Sequence, residues 1–70
     1  MFFNKNLKFL MKINNLNNNQ LASKLGITRQ SITDLVKTLD PRASTVIKLS
    51  NIFNVSIDDL LLKDLEEESK

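Results

Sequence analysis

The chain has 70 residues and lacks both cysteine and histidine; residues 1–57 carry eight Lys or Arg against two acids, whereas residues 58–70 carry six acids against two lysines. This length suits one small domain, and the missing residue types remove disulfides, thiolate metal ligands and the commonest general base, which argues against catalysis and metal binding. The basic part is compatible with nucleic acid or an anionic surface as a partner, and equally with a soluble protein that has an acidic tail.

The first predicted helix covers about residues 5–14, with Asn4 as its N-cap. On a helical wheel its apolar residues share one face and its lysines lie on the other. The apolar residues are Phe3, Leu7, Leu10 and Met11. The lysines interrupt the apolar pattern and no small-residue cleavage site follows, so a signal peptide is not predicted. No apolar run approaches the roughly 20 residues that span a bilayer, and we expect a cytoplasmic protein.

Two short helices are predicted next, at about residues 18–25 and 29–37. Asn17 and Thr28 precede them and suit N-caps, because their side-chain oxygens can accept from free backbone N–H groups. The only glycine, Gly26, lies between the helices, where a turn of roughly 90–120° needs a left-handed residue. The small Ala22 permits close approach, and the predicted apolar residues of the pair are Leu21, Ile27, Ile32 and Leu35. This spacing predicts a helix-turn-helix over about residues 18–37, with an αα-hairpin that binds nothing as the alternative.

Two further helices and a tail complete the chain. A fourth helix is predicted at about residues 43–53, and Asn54 suits a left-handed C-cap. A capping-box variant that begins at Ser56 opens a fifth helix. Because no strand pattern occurs, the prediction is a compact all-α domain of five helices over residues 1–65, followed by a solvated acidic tail at 66–70.

The sequence resembles the Cro and phage-repressor type of helix-turn-helix domain, often called the XRE family, over about residues 5–62. The segments that carry the resemblance are LNNNQLASKLGITRQSITDL, PRASTVIKL and NVSIDDLL. The resemblance implies a lambda-repressor-like fold and a sequence-specific transcriptional regulator, with a Cro/CI-type repressor as the expected form. It implies a homodimer on a double-stranded DNA operator, association with the nucleoid, and no cofactor, metal, membrane or small-molecule substrate.

The exposed side of the third helix carries residue types that read base edges in a major groove. Arg29 can donate two hydrogen bonds to guanine O6 and N7, and Gln30 can pair with adenine N6 and N7. Asp34 suits a position near DNA only if it accepts from a cytosine amino group or orients Arg29. The predicted base-reading residues are Arg29, Gln30, Thr33 and Asp34.

Phosphate contacts are expected around this helix. Asn17 and Asn18 lie at a helix N-terminus, where free N–H groups and the helix dipole favour an anion. In the family a phosphate-binding glutamine often occupies the position of Asn18. The predicted phosphate-binding residues are Asn17, Asn18, Thr28, Ser31, Lys37, Thr38 and Arg42. The alternative for each is a solvated polar surface, since loop geometry decides the contact.

Two positions depart from the family pattern. Many members bury an arginine of the first helix against a glutamate at the end of the third, and Met11 and Val36 occupy those positions here. Replacing both ions with apolar groups is often neutral or stabilising, so we expect Met11 and Val36 to touch. A glycine that is common after the third helix is also missing, and residues 37–40 read Lys-Thr-Leu-Asp.

Three apolar residues, Phe9, Ile13 and Leu62, lie outside the predicted core faces and could either pack internally or form a protein–protein interface. Two other functions remain open at this point. A membrane-surface role would need Phe2, Phe3, Phe9 and Ile13 to be exposed together beside the lysines. A protein-interaction module of the same fold, such as an antitoxin, would need no basic recognition face, and the reading residues argue against it.

Overall fold

The computed structural model describes residues 1–70, which form six helices and no strand. The helices are α1 (Phe3–Ile13), α2 (Asn18–Leu25), α3 (Arg29–Leu35), α4 (Ala43–Phe53), α5 (Ile57–Leu62) and α6 (Leu65–Glu68). They pack into a body of 31 × 24 × 20 Å. The all-α prediction is confirmed, and the helix number is six where five were predicted.

One hydrophobic core holds the helices together. It takes side chains from every helix except α6, and the whole predicted apolar face of α1 is buried in it. The buried apolar residues are Phe3, Leu7, Leu10, Met11, Leu21, Ala22, Leu25, Ile32, Val46, Leu49 and Leu60. Met11 is buried, and Val36 packs against the same core. Their direct contact stays a prediction.

Helix α1 begins two residues before the predicted start. Phe2 occupies the N-cap position without a side-chain cap, and its backbone N–H donates to the Leu61 carbonyl at 2.8 Å. Phe3 is only 1% exposed, so burial in the core fixes the first turn. Asn4 therefore lies inside the helix rather than capping it, and its Oδ1 is buried without a hydrogen-bond partner.

The acidic C-terminal segment, predicted to be a solvated tail, instead contains α6. The Asp64 side chain caps this helix by accepting from the Glu67 N–H at 3.2 Å. Asn6 is fully buried, and its Nδ2 donates to the carbonyls of Leu60 and Lys63 at 2.7 and 2.6 Å. The Oδ1 of Asn6 accepts from the Leu65 N–H at 3.1 Å. One side chain of α1 thus fixes the junction between α5 and α6.

The remaining boundaries follow the predicted local signals, except at the end of α3. Asn54 is left-handed, with φ at +55°, and the Ser56 hydroxyl accepts from the Asp59 N–H at 3.0 Å. Helix α3 ends at Leu35 rather than at residue 37, because Lys37 bonds to the carbonyl three residues back and the last turn tightens.

Candidate nucleic-acid interface

The turn between α2 and α3 adopts the predicted left-handed conformation at Gly26, with φ at +72° and ψ at 31°. The Ile27 N–H donates to the Ala22 carbonyl at 3.0 Å and closes the end of α2. A Cβ built on Gly26 would meet no heavy atom within 4 Å. The requirement for glycine therefore comes from the backbone conformation and not from crowding.

The N-terminus of α2 is a complete capping box. The Asn17 Oδ1 accepts from the Gln20 N–H at 2.8 Å, and the Gln20 Oε1 accepts from the Asn17 N–H at 2.9 Å. The cap uses the oxygen of Asn17 and leaves its side-chain N–H groups available. An open depression of about 360 Å³ lies beside this cap and brings it next to Arg29. Its lining residues are Met11, Leu16, Asn17, Asn18, Asn19 and Arg29.

Helix α3 starts at a hydrogen-bonded pair of hydroxyl residues. The Thr28 Oγ1 accepts from the Ser31 N–H at 3.1 Å, and the two hydroxyl oxygens lie 2.9 Å apart. Ile32 is fully buried and fixes the rotation of the helix about its axis. Arg29 and Gln30 consequently point into solvent.

The other two predicted reading residues have hydrogen bonds within α3. Thr33 is half-buried, and its hydroxyl donates to the Arg29 carbonyl at 3.3 Å. Asp34 is exposed and accepts from the Gln30 Nε2 at 3.3 Å. It forms no ion pair with Arg29, and the orienting of Arg29 by Asp34 on DNA stays a prediction. The pairing with Gln30 follows from spacing, because residues four apart share a helix face and residues five apart do not.

A groove of about 430 Å³ separates α3 from the start of α4. Three predicted phosphate-binding residues, Ser31, Thr38 and Arg42, line it together. Ile27 also lines the groove and is 39% exposed, so it contributes to the surface rather than filling the space between α2 and α3 as predicted. Lys37 is exposed at the end of α3.

The ion pairs of the molecule are confined to α1, α5 and the C-terminal segment. Lys5 pairs with Asp64 at 2.7 Å and lies 3.9 Å from Glu66. The other pairs are Lys63 with Asp59 and Lys70 with Glu67. The hydrogen bond between Lys5 and Asp64 raises the pKa of Lys5 and lowers the pKa of Asp64.

The cations around the helix-turn-helix have no such partners. None of these five side chains forms an ion pair: Lys24, Arg29, Lys37, Arg42 and Lys48. All five are exposed. The acidic end of the chain is thus partly neutralised by Lys5, Lys63 and Lys70, while the cations in the region of α2, α3 and α4 have no acidic partner within the protein.

The three apolar residues that could either pack internally or form an interface, Phe9, Ile13 and Leu62, differ in their exposure. Phe9 packs against the core, whereas Ile13 and Leu62 are 57% and 66% exposed. The membrane-surface alternative needed Phe3 and Phe9 to be exposed with Ile13, and the burial of Phe3 contradicts it. None of the six helices combines the length and the apolar composition that crossing a bilayer requires.

Sequence reasoning missed two contributors to this surface. Gln20 completes the α2 cap, and its position three residues after Asn17 was a visible capping-box signal. Asn19 lines the depression beside Arg29, and only the three-dimensional arrangement brings it there.

A helix-turn-helix family model matches residues 7–60 of the chain, from within α1 to within α5. An uncharacterized HTH-type transcriptional regulator, MJ0272 of Methanocaldococcus jannaschii, is 34% identical over 62 residues, covering 87% of this chain and 94% of the relative. A second, YqaE of Bacillus subtilis, is 39% identical over 66 residues, covering 93% of this chain and 57% of the relative, so the chain spans little more than half of that protein. No solved structure is a significant match. The chain belongs to the XRE-type helix-turn-helix family, which is a family of transcription regulators and not of enzymes.

Proposed function

We propose that this protein is a DNA-binding transcriptional regulator that inserts α3 into the major groove of an operator. The observation that supports the proposal best is that α3 is anchored in the core on one side and exposes the predicted base-reading residues on the other. Ile32 is fully buried on one side of the helix, and Arg29 and Gln30 are exposed on the other. Seven residues of helix and a major groove about 12 Å wide are compatible in size.

The base contacts divide by chemistry. Arg29 is free of ion pairs and can donate two hydrogen bonds to the O6 and N7 atoms of guanine. Gln30 can donate to N7 of adenine and accept from its N6 amino group. Each bidentate contact is worth roughly 1–3 kcal/mol of discrimination between bases. Thr33 suits a shorter contact, such as the methyl group of thymine.

Phosphate contacts would lie on both sides of α3. On one side, the N-terminus of α2 and the amide groups of Asn17 and Asn18 border the depression next to Arg29. On the other side are the groove with Thr38 and Arg42 and, next to Thr38 in the chain, the exposed and unpaired Lys37. Only one of the hydroxyls of Thr28 and Ser31 can donate to the other, so one O–H of the pair stays available to donate to a phosphate oxygen.

We further propose that the protein acts as a homodimer on a two-fold operator and represses by occupying it, in the manner of Cro and CI proteins of phages. Seven residues of α3 offer few base contacts, so two half-sites one helical turn apart are needed for a long recognition sequence. Pairing raises the overall affinity through effective concentration. Such a regulator would be associated with the nucleoid.

Selection of binding sites from random double-stranded DNA tests the proposal. The expected result is an enriched sequence with two-fold symmetry, together with non-specific binding at a Kd of roughly 10⁻⁴ to 10⁻⁶ M that weakens steeply with salt. The control is the Arg29→Ala, Gln30→Ala double variant, which should keep the salt-dependent binding and lose the enrichment. Absence of any salt-dependent binding would contradict the proposal.

A protein-interaction module, such as an antitoxin or a partner-binding domain, is the second candidate. The exposed Ile13, Leu39 and Leu62 favour it, because they are large apolar side chains with no internal role. The two candidates separate in the site-selection experiment. An interaction module needs no base preference, and replacing Arg29 and Gln30 would leave its partner binding unchanged.

A further inference from the structure

We propose that Asp34 determines base preference without touching a base. It holds the Gln30 amide in the orientation whose donor and acceptor match the edge of adenine and not that of guanine. The inference rests on the proposed reading of DNA by α3 and adds a positioning residue to it. Asp34 and Gln30 lie one turn apart on α3, and both are exposed on the side that faces away from the core.

The hydrogen bond fixes which end of the amide points at Asp34. The Nε2 of Gln30 lies 3.3 Å from the Asp34 Oδ1. A carboxylate only accepts hydrogen bonds, so the NH₂ group of Gln30 can face it and the carbonyl oxygen cannot. Rotating the amide by half a turn would place its Oε1 against a negative oxygen. The orientation of Gln30 thus follows from the charge of Asp34 and not from the Gln30 side chain alone.

Nothing else in the structure competes for Asp34. The four ion pairs of the molecule involve Asp59, Asp64, Glu66 and Glu67, and none of them involves Asp34. Its one side-chain hydrogen bond is the bond from Gln30. The buried Ile32 lies between the two residues in sequence and holds the helix in place beneath them. Asp34 is therefore free to act on Gln30 when α3 enters a groove.

The consequence for recognition follows from the pattern of donors and acceptors. When one N–H of the Gln30 amide donates to Asp34, its other N–H and its Oε1 remain available to face a base. Adenine offers an acceptor at N7 and a donor at N6, which match this pair. Guanine offers acceptors at both N7 and O6, so the Oε1 of Gln30 would face O6 without a proton between them. Asp34 thereby biases one base pair of each half-site toward adenine.

The test compares site selection by the wild type, Asp34→Asn, Gln30→Ala and the variant with both changes. The amide introduced by Asp34→Asn can donate or accept, so Gln30 gains both orientations while the side-chain shape is kept. The expected result for Asp34→Asn is a fall of roughly 1.5- to 2-fold in the ratio of adenine to guanine at one base pair, because an exposed pair four residues apart on a helix favours one orientation only weakly. In the Gln30→Ala background the same change should alter no base ratio.

Asp40→Asn is the matched control. Asp40 lines the same groove as Asp34 and is exposed, and no side chain of the reading surface bonds to its carboxylate. Removing its charge should tighten binding to all sequences alike and leave the base ratios as in the wild type. Circular dichroism of each variant should give wild-type helicity, so that the selection reports on contacts.

The outcomes separate this inference from the function it rests on. If the wild type selects a site and Asp34→Asn keeps its adenine-to-guanine ratio, the role of Asp34 is overturned alone. If the effect of Asp34→Asn persists in the Gln30→Ala background, Asp34 contacts a base itself and the inference is also overturned. If the wild type selects no sequence at all, the proposed function and this inference are both overturned.

Discussion

The helix-turn-helix formed by α2 and α3 and the opposite part of the domain, where α1 meets α5 and α6, are stabilised by different kinds of interaction. In the helix-turn-helix each helix end is satisfied by a residue within five positions, such as Asn17 or Thr28 at the N-termini. At the junction of α1, α5 and α6 the key bonds join residues more than 50 positions apart, from Asn6 and Lys5. Charge divides in the same way, since the cations near α3 are unpaired and those near α6 are paired. Both parts contribute to the core, but the long-range polar bonds and ion pairs lie at α1, α5 and α6, whereas the cations near α3 have no partner within the protein.

Among the substitutions that test this difference, removing the Asn6 side chain should reduce the free energy of unfolding most. In Asn6→Ala the carbonyls of Leu60 and Lys63 and the N–H of Leu65 lose a buried partner. Each unsatisfied group costs about 1–3 kcal/mol, so we expect a loss of about 2–4 kcal/mol in the free energy of unfolding, after partial access of water. Urea denaturation monitored by circular dichroism measures it.

Asn14→Ala is the control for that loss. Asn14 is exposed, and its Nδ2 donates only to the Leu10 carbonyl, one turn back on α1. A change of about 0.5 kcal/mol or less is expected there. Equal destabilisation by the two substitutions would show that Asn6 is no more than an ordinary helix residue.

This difference also explains what the sequence could predict. The caps at Asn17, Thr28 and Ser56 and the left-handed turns at Gly26 and Asn54 were found, because each depends on residues close in the chain. These signals located α2, α3, α4 and α5 and hence the candidate interface.

What the sequence did not predict depends on distant contacts. Helix α6 contains the acidic run Glu66–Glu68, whose composition indicates a solvated tail, and its start is held by Asn6 and Lys5 of α1. The early start of α1 depends on the burial of Phe3, and although the apolar pattern included Phe3, the capping signal of Asn4 set the predicted start too late. The bond between Gln30 and Asp34 was visible in the spacing of four, but Arg29 was the more obvious partner by charge.

Substitution of Gly26 should give the second largest effect and tests whether the turn is a purely local device. Gly26→Ala places a side chain at a φ of +72° with no atom within 4 Å to clash, so we expect a cost of about 1–2 kcal/mol from backbone conformation alone. Thermal and urea unfolding measure it. Gly26→Asn should cost less than Gly26→Ala, because asparagine tolerates the left-handed region better. The reverse order would point to packing rather than conformation.

Lys37→Ala tests whether the unpaired cations near α3 contact DNA, and its expected effect is smaller than those of Asn6→Ala and Gly26→Ala. Lys37 is exposed and unpaired, so its loss should weaken binding to all DNA sequences alike and flatten the slope of log K against log salt by about one. Fluorescence anisotropy with a labelled duplex at several salt concentrations measures the slope. Lys70→Ala removes a lysine that is paired with Glu67, and it should leave the slope unchanged. Equal slopes for the two variants would remove the distinction between paired and free cations.

The ion pair between Lys5 and Asp64 should give the smallest effect, because Lys5 is largely exposed and solvent screens the charges. The folded-state pKa of Asp64 is lowered, so its stabilisation is present above the unfolded pKa of about 3.9 and is lost as the pH falls through the folded value. The folded-state pKa of Lys5 is raised, so its contribution is complete below the unfolded pKa of about 10.4 and is lost as the pH rises through the folded value.

A double-mutant cycle of Lys5→Gln and Asp64→Asn, with the free energy of unfolding measured at several pH values, isolates the pair, since asparagine still caps α6. The coupling should be present at neutral pH and decrease as the pH falls through the lowered folded-state pKa of Asp64, and a coupling that does not change with pH would show that the two side chains stabilise α6 through packing and capping instead.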